Sequence, residues 1–198
     1  MKAAIKSGLL ALAAIGIPAV AHAHTGVGDT GGLVHGFMHP IGGLDHVLAM
    51  VAVGVFASIL GGRALWLVPT SFVVMMAVGG VLGMQGVSVP FVEIGIAASV
   101  VVLGLAVALR WNPPTAAAMG VVSLFAIFHG HAHGAEMPLD ASGLQYAIGF
   151  MAATALLHIA GVGLGVVIGR ISANSTAAMR FGGGAMALAG VGLLTGYI

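Results

Sequence analysis

Long apolar runs, separated by short segments rich in glycine, proline or polar residues, dominate the chain from about residue 40 onward. A helix that crosses a bilayer needs about 20 predominantly apolar residues, and each run has roughly that length. The separators contain helix breakers such as Gly61-Gly62 and Pro113-Pro114 and are too short to divide the chain into domains. The pattern predicts an all-α membrane protein, one bundle of six transmembrane helices, over residues 40–60, 64–84, 91–109, 115–133, 144–169 and 176–196.

The first 23 residues have the pattern of a secretory signal peptide. Lys2 and Lys6 precede a short apolar run that ends in Ala21-His22-Ala23, a small-x-small cleavage site. We expect cleavage there, which leaves residues 24–198 as the mature six-helix transmembrane domain and places its amino terminus outside the cytoplasm. An uncleaved first membrane helix is the alternative. A new terminus at His24 could chelate a metal ion through its α-amine and imidazole, or could simply mark the cleavage point.

The composition excludes several classes of protein. Of 198 residues, 60% are apolar and only 6% charged, whereas soluble domains average about 25% charge. A soluble monomer and a disordered chain are therefore excluded. Six scattered Lys and Arg residues form no basic patch for nucleic acid. Because the chain has no cysteine, disulfides and thiolate metal sites are excluded as well.

Charges are sorted between the two sides of the predicted bundle. If the mature amino terminus is outside, every arginine faces the cytoplasm, in agreement with the positive-inside rule. Every acid then lies on the outer side. We therefore expect a multi-pass membrane protein whose mature amino terminus lies outside the cytoplasm. The arginines are Arg63, Arg110, Arg170 and Arg180; the acids are Asp29, Asp45, Glu93, Glu136 and Asp140.

Most histidines lie on the same side as the acids, which predicts a cation site facing the exterior. Four of them precede or open the first span, three close the fourth, and one lies deep in the fifth. These are His24, His35, His39 and His46, then His129, His131 and His133, and finally His158.

Helical spacing selects a face at the end of the fourth span. His129, His133 and Glu136 return to one face within roughly 60°, whereas His131 points about 160° away from His133. Gly130 and Gly134 form a small-residue ridge that allows close approach of another helix, for which the first span is the expected neighbour. The alternative is a polar helix end with solvated histidines.

The first span supplies the second group of candidates. Pro40 suits the first helical position, with His39 flanking it and His46 one turn inside. Asp45 would be a metal ligand or the acceptor that orients an imidazole, because it lies several residues late for a helix cap. An aspartate within a span costs roughly 2.5–3.5 kcal/mol, which a divalent cation would offset. Met50 is placed to be a soft ligand below His46.

Two further residues carry open alternatives. Glu93 opens the third span and could add a carboxylate ligand, or could only favour the helix amino terminus. His158 shares a face with Gly161, Gly165 and Gly169, so it should point into the bundle. There it could make an interhelical hydrogen bond or serve as a station for a crossing ion, on a pathway that would also include His24, His35 and Met50.

The ligand types favour a transition metal as transported substrate. Imidazole with carboxylate suits Ni²⁺, Co²⁺, Zn²⁺ or Cu²⁺ better than Mg²⁺ or Ca²⁺. No phosphate-binding loop is present, so this chain alone is not an ATP-driven pump. An intramembrane metal hydrolase is an alternative, although no His-Glu-x-x-His or Gly-x-Ser-x-Gly occurs. A metal sensor without flux is another.

Two motifs resemble those of the HupE/UreJ family of bacterial nickel and cobalt permeases. They are His39-Pro-x-x-Gly-x-Asp45-His46 and Phe128-His-Gly-x-Ala-His-Gly-x-Glu136, and the resemblance extends over essentially the whole chain. It implies a permease rather than an enzyme, with no prosthetic group, that supplies metal for hydrogenase or urease maturation. It does not indicate which metal is carried or whether a homo-oligomer forms. The residues that it implies handle the metal are His39, Asp45, His46, Glu93, His129, His133 and Glu136.

Overall fold

The protein is helical throughout the part that its computed structural model describes, residues 32–137, 141–171 and 174–198, which confirms the all-α class. The predicted signal peptide, His24, Asp29 and Asp140 lie outside these residues. Seven helices follow one another: α1 Gly32–Gly42, α2 Leu44–Leu60, α3 Ala64–Met84, α4 Val92–Ala108, α5 Thr115–Glu136, α6 Ala141–Ile171 and α7 Ser175–Thr195.

Four of these helices, α3, α5, α6 and α7, are long and apolar enough to cross a membrane. The pair α1 and α2 adds a fifth span if it is counted as one span bent by 80°. Helix α4 is apolar but has only 17 residues, fewer than the roughly 20 that a straight crossing requires. The described chain is thus a multi-pass membrane protein, and the predicted count of six spans is not confirmed.

The first predicted span begins at the wrong residue. Helix α1 starts at Gly32 and continues through Pro40, which lies in its last turn rather than at a first helical position. The chain then breaks at Gly43, whose extended backbone (φ −96°, ψ 121°) precedes α2. Gly42 and Gly43 follow one another here, and glycine destabilises a helix because of its backbone freedom. A count of apolar residues does not detect such a break. Consequently His39 lies on a different helix from His46, and His46 is only the third residue of α2.

The glycines predicted to form a ridge on α5 do allow another helix to pack closely. A methyl group at Gly130 would overlap the carbonyl of Met76, and one at Gly134 would overlap that of Gly80. The predicted ridge on α5 therefore exists, but it packs against α3 and not against the first span. The adjoining face of α5, about 100° around the helix, carries His129 and His133 toward α1 and α2.

The glycine stripe on α6 packs against α2. Gly161 lies against the carbonyl of Val51 and Gly165 against the side chain of Ser58, whereas the space beside Gly169 is open. This packing turns the same face of α6 inward, and His158 is only 1% exposed. The prediction that His158 points into the bundle is confirmed.

The two ends of the bundle differ in chemistry. Helices α2, α4 and α6 begin at one end, where α3 and α5 finish, and we call this the histidine end. The arginines lie at the opposite end, where Arg110 Nη1 donates a hydrogen bond of 2.6 Å to Thr176 Oγ1. The carboxylates within the described ranges lie at the histidine end, at Asp45, Glu93 and Glu136.

Candidate metal site

Four imidazoles from three helices meet at the histidine end, and we call His39, His46, His129 and His133 the histidine cluster. The ring centroid of His133 lies 4.5 Å from that of His39 and 4.7 Å from that of His46. His46 in turn lies 4.8 Å from His129. Three of the four rings are buried and His39 is half-buried, so the alternative of solvated histidines at a helix end does not hold.

The side chain of Asp45 orients the ring of His46. Its Oδ1 atom accepts a hydrogen bond of 2.8 Å from His46 Nδ1 and another of 2.8 Å from the backbone N–H of His46. Because an ionised carboxylate only accepts, the proton of the neutral ring is on Nδ1 and the lone pair is on Nε2. Carboxylates behind metal-binding imidazoles set the tautomer and the ring orientation in this way.

His46 and His133 are joined directly. Their Nε2 atoms lie 2.6 Å apart, which is a hydrogen-bond distance. Since His46 Nε2 has the lone pair, the Nε2–H of His133 donates. His133 Nδ1 is then unprotonated, and this buried nitrogen has no hydrogen-bond partner within the described ranges.

The ring of His129 is set by a serine that the sequence analysis did not single out. The hydroxyl of Ser99 donates a 2.6 Å hydrogen bond to the carbonyl of Ile96, so its oxygen accepts the 3.0 Å hydrogen bond from His129 Nε2. The Nδ1 atom of His129 is therefore also unprotonated, buried and without a partner in the described chain. One feature of the sequence could have identified this residue, because Ser99 is the only hydroxyl residue in the apolar helix α4.

Aromatic side chains form the wall of the histidine cluster. The ring of Phe150 lies 4.3 Å from His133, and that of Tyr146 lies 5.9 Å from His39. Phe72 contacts the deepest member, His129, at 5.6 Å. A cavity of about 340 Å³ adjoins the cluster and is lined in part by His133, Tyr146 and Phe150. In the sequence these aromatic residues are indistinguishable from ordinary core residues.

The remaining candidates lie around the cluster rather than in it. Glu93 and Glu136 have exposed side chains, and among the carboxylates of the described ranges only Asp45 hydrogen-bonds to an imidazole. His35 extends the line of rings outward, 6.0 Å from His39. Met50 is fully buried in the core. His131 points away from the cluster, as its position on the helix predicts, and its Nε2 lies 2.7 Å from the carbonyl oxygen of Val87.

The cluster is hydrogen-bonded rather than arranged around a metal ion. Among the described residues, no three His, Asp or Glu side chains are placed so that they could hold a metal ion together. The hydrogen bond between His46 and His133 is one obstacle, because it occupies the lone pair of His46 Nε2 that a metal ion would need. A metal ion would have to open the hydrogen bond between these two rings before both could bind it.

Comparison with known proteins agrees with the two motifs. Residues 10–193 match the family described as HupE / UreJ protein. The chain is 50% identical over 185 residues to Protein HupE of Rhizobium leguminosarum bv. viciae, and the alignment covers 93% of this chain and 95% of the relative. No solved structure matches. Because the family match and the alignment both extend over nearly the whole length, the chain belongs to the HupE/UreJ family.

Proposed function

We propose that this protein is a permease that takes divalent nickel, or cobalt, from the periplasm into the cytoplasm. The HupE/UreJ family is associated with nickel and cobalt transport. The observation that carries the proposal is the contact between His46 and His133. These residues belong to different motifs, lie 87 positions apart in the chain and meet at 2.6 Å, with the carboxylate of Asp45 behind the first ring.

In the proposed mechanism the ion loses its water in steps. It first meets the half-buried rings of His35 and His39, and the exposed carboxylates of Glu93 and Glu136 attract cations to this end of the bundle. It then binds the bare Nδ1 atoms of His129 and His133, and His46 Nε2 once its hydrogen bond to His133 has opened. Asp45 supplies a negative charge that stabilises the bound cation without contacting it.

The donor set favours borderline transition metals over hard cations. Neutral imidazole nitrogens suit nickel, cobalt, zinc and copper, whereas magnesium and calcium require oxygen ligands. Uptake needs no further coupling, because an inside-negative membrane potential contributes about 2.3 kcal/mol per charge per 100 mV. The protein would act in the inner membrane with its mature amino terminus in the periplasm, and would supply metal for hydrogenase or urease maturation.

A transport assay with reconstituted protein tests this function. Liposomes that contain the wild-type chain and a metal-responsive dye should fill with nickel, whereas those with His46→Ala or His133→Ala should stay at the background of empty liposomes. The matched control is His131→Ala, on the same helix but outside the cluster, which should retain flux. Tight nickel binding by the wild-type chain without flux would identify a sensor and refute the permease. Hydrolysis of peptide or lipid by the metal-loaded protein would support the hydrolase instead.

A further inference from the structure

His158 is a buried imidazole that neither the histidine cluster nor the fold accounts for. It is 1% exposed, and neither of its ring nitrogens has a hydrogen-bond partner among the described residues. The interhelical hydrogen bond considered from the sequence is therefore not formed. Because buried polar side chains in native proteins nearly always have a partner, a histidine with two unpartnered nitrogens indicates a ligand that binds there.

The side chains around His158 supply further donors. Thr154 lies one helical turn away on the same face of α6, and its hydroxyl donates to the Met76 sulfur at 3.8 Å. Phe72 lies one turn from Met76 on α3, and its ring meets that of His158 edge to face at 5.1 Å. Helices α3 and α6 thus place a thioether and a hydroxyl on one buried turn and an imidazole on the next turn, and no Asp or Glu occurs on either facing turn.

Met76 lies against Gly130, next to His129, and His158 lies one helical turn further from the histidine end than Thr154. The ring of Phe72 contacts His129 at 5.6 Å on one side and His158 at 5.1 Å on the other. The rings therefore form a series from His35 through the histidine cluster to His158, in which Phe72 is the one apolar member. An ion that leaves His129 toward the arginine end meets His158 as the next nitrogen donor in that series.

We propose that His158, the Met76 thioether and the Thr154 hydroxyl form a second, inner station for the transported transition-metal cation, a proposal that rests on the permease function. Its ligands are neutral and include sulfur, so it selects borderline and soft cations over manganese and magnesium. The absence of a carboxylate from the facing turns makes the station weaker than the histidine cluster. Weak binding suits a station from which the ion must leave, because conduction requires sites that release as well as bind.

Nickel binding to the purified full chain tests the station independently of transport. X-ray absorption of the wild-type protein should show nitrogen and oxygen ligands with the first nickel ion, and a sulfur ligand with a second, weaker one. The sulfur ligand should disappear in Met76→Leu and persist in Met179→Leu, a buried methionine elsewhere in the core. His46→Ala should lose the tighter nickel ion and keep the sulfur-ligated one. Absence of a sulfur ligand in the wild-type protein, or its persistence in Met76→Leu, would overturn the proposal.

Flux supplies the second measurement. His158→Leu should keep nickel affinity at the histidine cluster within about twofold while reducing flux by roughly tenfold or more, a loss within the range found for residues that tune metal sites. Met76→Leu should lower the ratio of nickel flux to manganese flux. Because leucine is nearly isosteric with methionine, this variant still tests the station if His158→Leu does not fold. Wild-type flux and selectivity in both variants would refute the station. If the wild-type chain bound the sulfur-ligated nickel ion but showed no flux, the permease function would fail, and His158, Met76 and Thr154 would stand as a metal-binding site without a role in transport.

Discussion

The hydroxyl of Ser99 holds the imidazole of His129 in a single tautomer. Ser99 donates its only hydrogen to the carbonyl of Ile96 and accepts the Nε2–H of His129 at 3.0 Å, so the lone pair of His129 lies on Nδ1. Neither residue is exposed to solvent. The motif on α5 therefore depends on a serine of another helix, α4, for the position of the lone pair of His129.

The first prediction concerns this serine. Ser99→Ala should weaken nickel binding by about tenfold, because partners behind a metal-binding imidazole typically contribute that much or more. The melting temperature should fall as well, because the buried Nε2–H of His129 loses its acceptor. Titration with nickel measures the affinity. Ser71→Ala is the matched control, since Ser71 makes the same kind of hydrogen bond to a backbone carbonyl, at 2.8 Å to Val68, and contacts no imidazole. Equal loss of affinity in both variants would contradict the assigned role.

The second prediction separates two roles for Asp45. If this carboxylate orients His46, Asp45→Asn should retain part of the nickel affinity, because the amide oxygen still accepts from His46 Nδ1 and from the backbone N–H. Asp45→Ala should lose about ten- to a hundredfold, the range typical of such partners. Titration of both purified variants with nickel in detergent measures the two affinities. Equal and complete loss in both would mean that Asp45 binds the metal directly.

The third prediction uses two histidines of the same helix. His133→Ala should abolish nickel uptake by cells while the protein still inserts into the membrane, because it removes both a bare nitrogen and the hydrogen bond to His46. His131→Ala should change uptake little, because its ring lies beside the carbonyl of Val87. Uptake of radioactive nickel, normalised to the amount of protein in the membrane, measures the difference. A larger loss in His131→Ala would show that the facial assignment of α5 is wrong.

The fourth prediction concerns the packing that positions α5. Gly134→Ala should destabilise the protein by about 1–3 kcal/mol, as overpacked cores do, because the added methyl group would overlap the carbonyl of Gly80. Metal affinity should fall as well, since His133 is the neighbouring residue. Gly120→Ala is the control on the same helix, where the space is open, and it should be neutral or slightly stabilising. Thermal unfolding in detergent compares the two, and equal stability would argue against the close contact of α3 and α5.

The sequence by itself determined what depends on local periodicity. Apolar run lengths located most of the helices, and the spacing of 129, 131 and 133 separated the inward-facing histidines from the outward-facing one. The glycines at 130 and 134 identified a face that packs closely. Each of these features follows from a rotation of about 100° per residue and from the length of chain needed to cross a bilayer.

Only the tertiary structure decided which atoms meet. The break at Gly43 puts His39 and His46 on separate helices, and the apolar pattern of the sequence does not reveal it. The contacts of Ser99 with His129 and of Phe72 with His158 join helices far apart in the chain. Hydrogen bonds that set a tautomer require distances correct to a few tenths of an ångström, and only the packed bundle defines those distances.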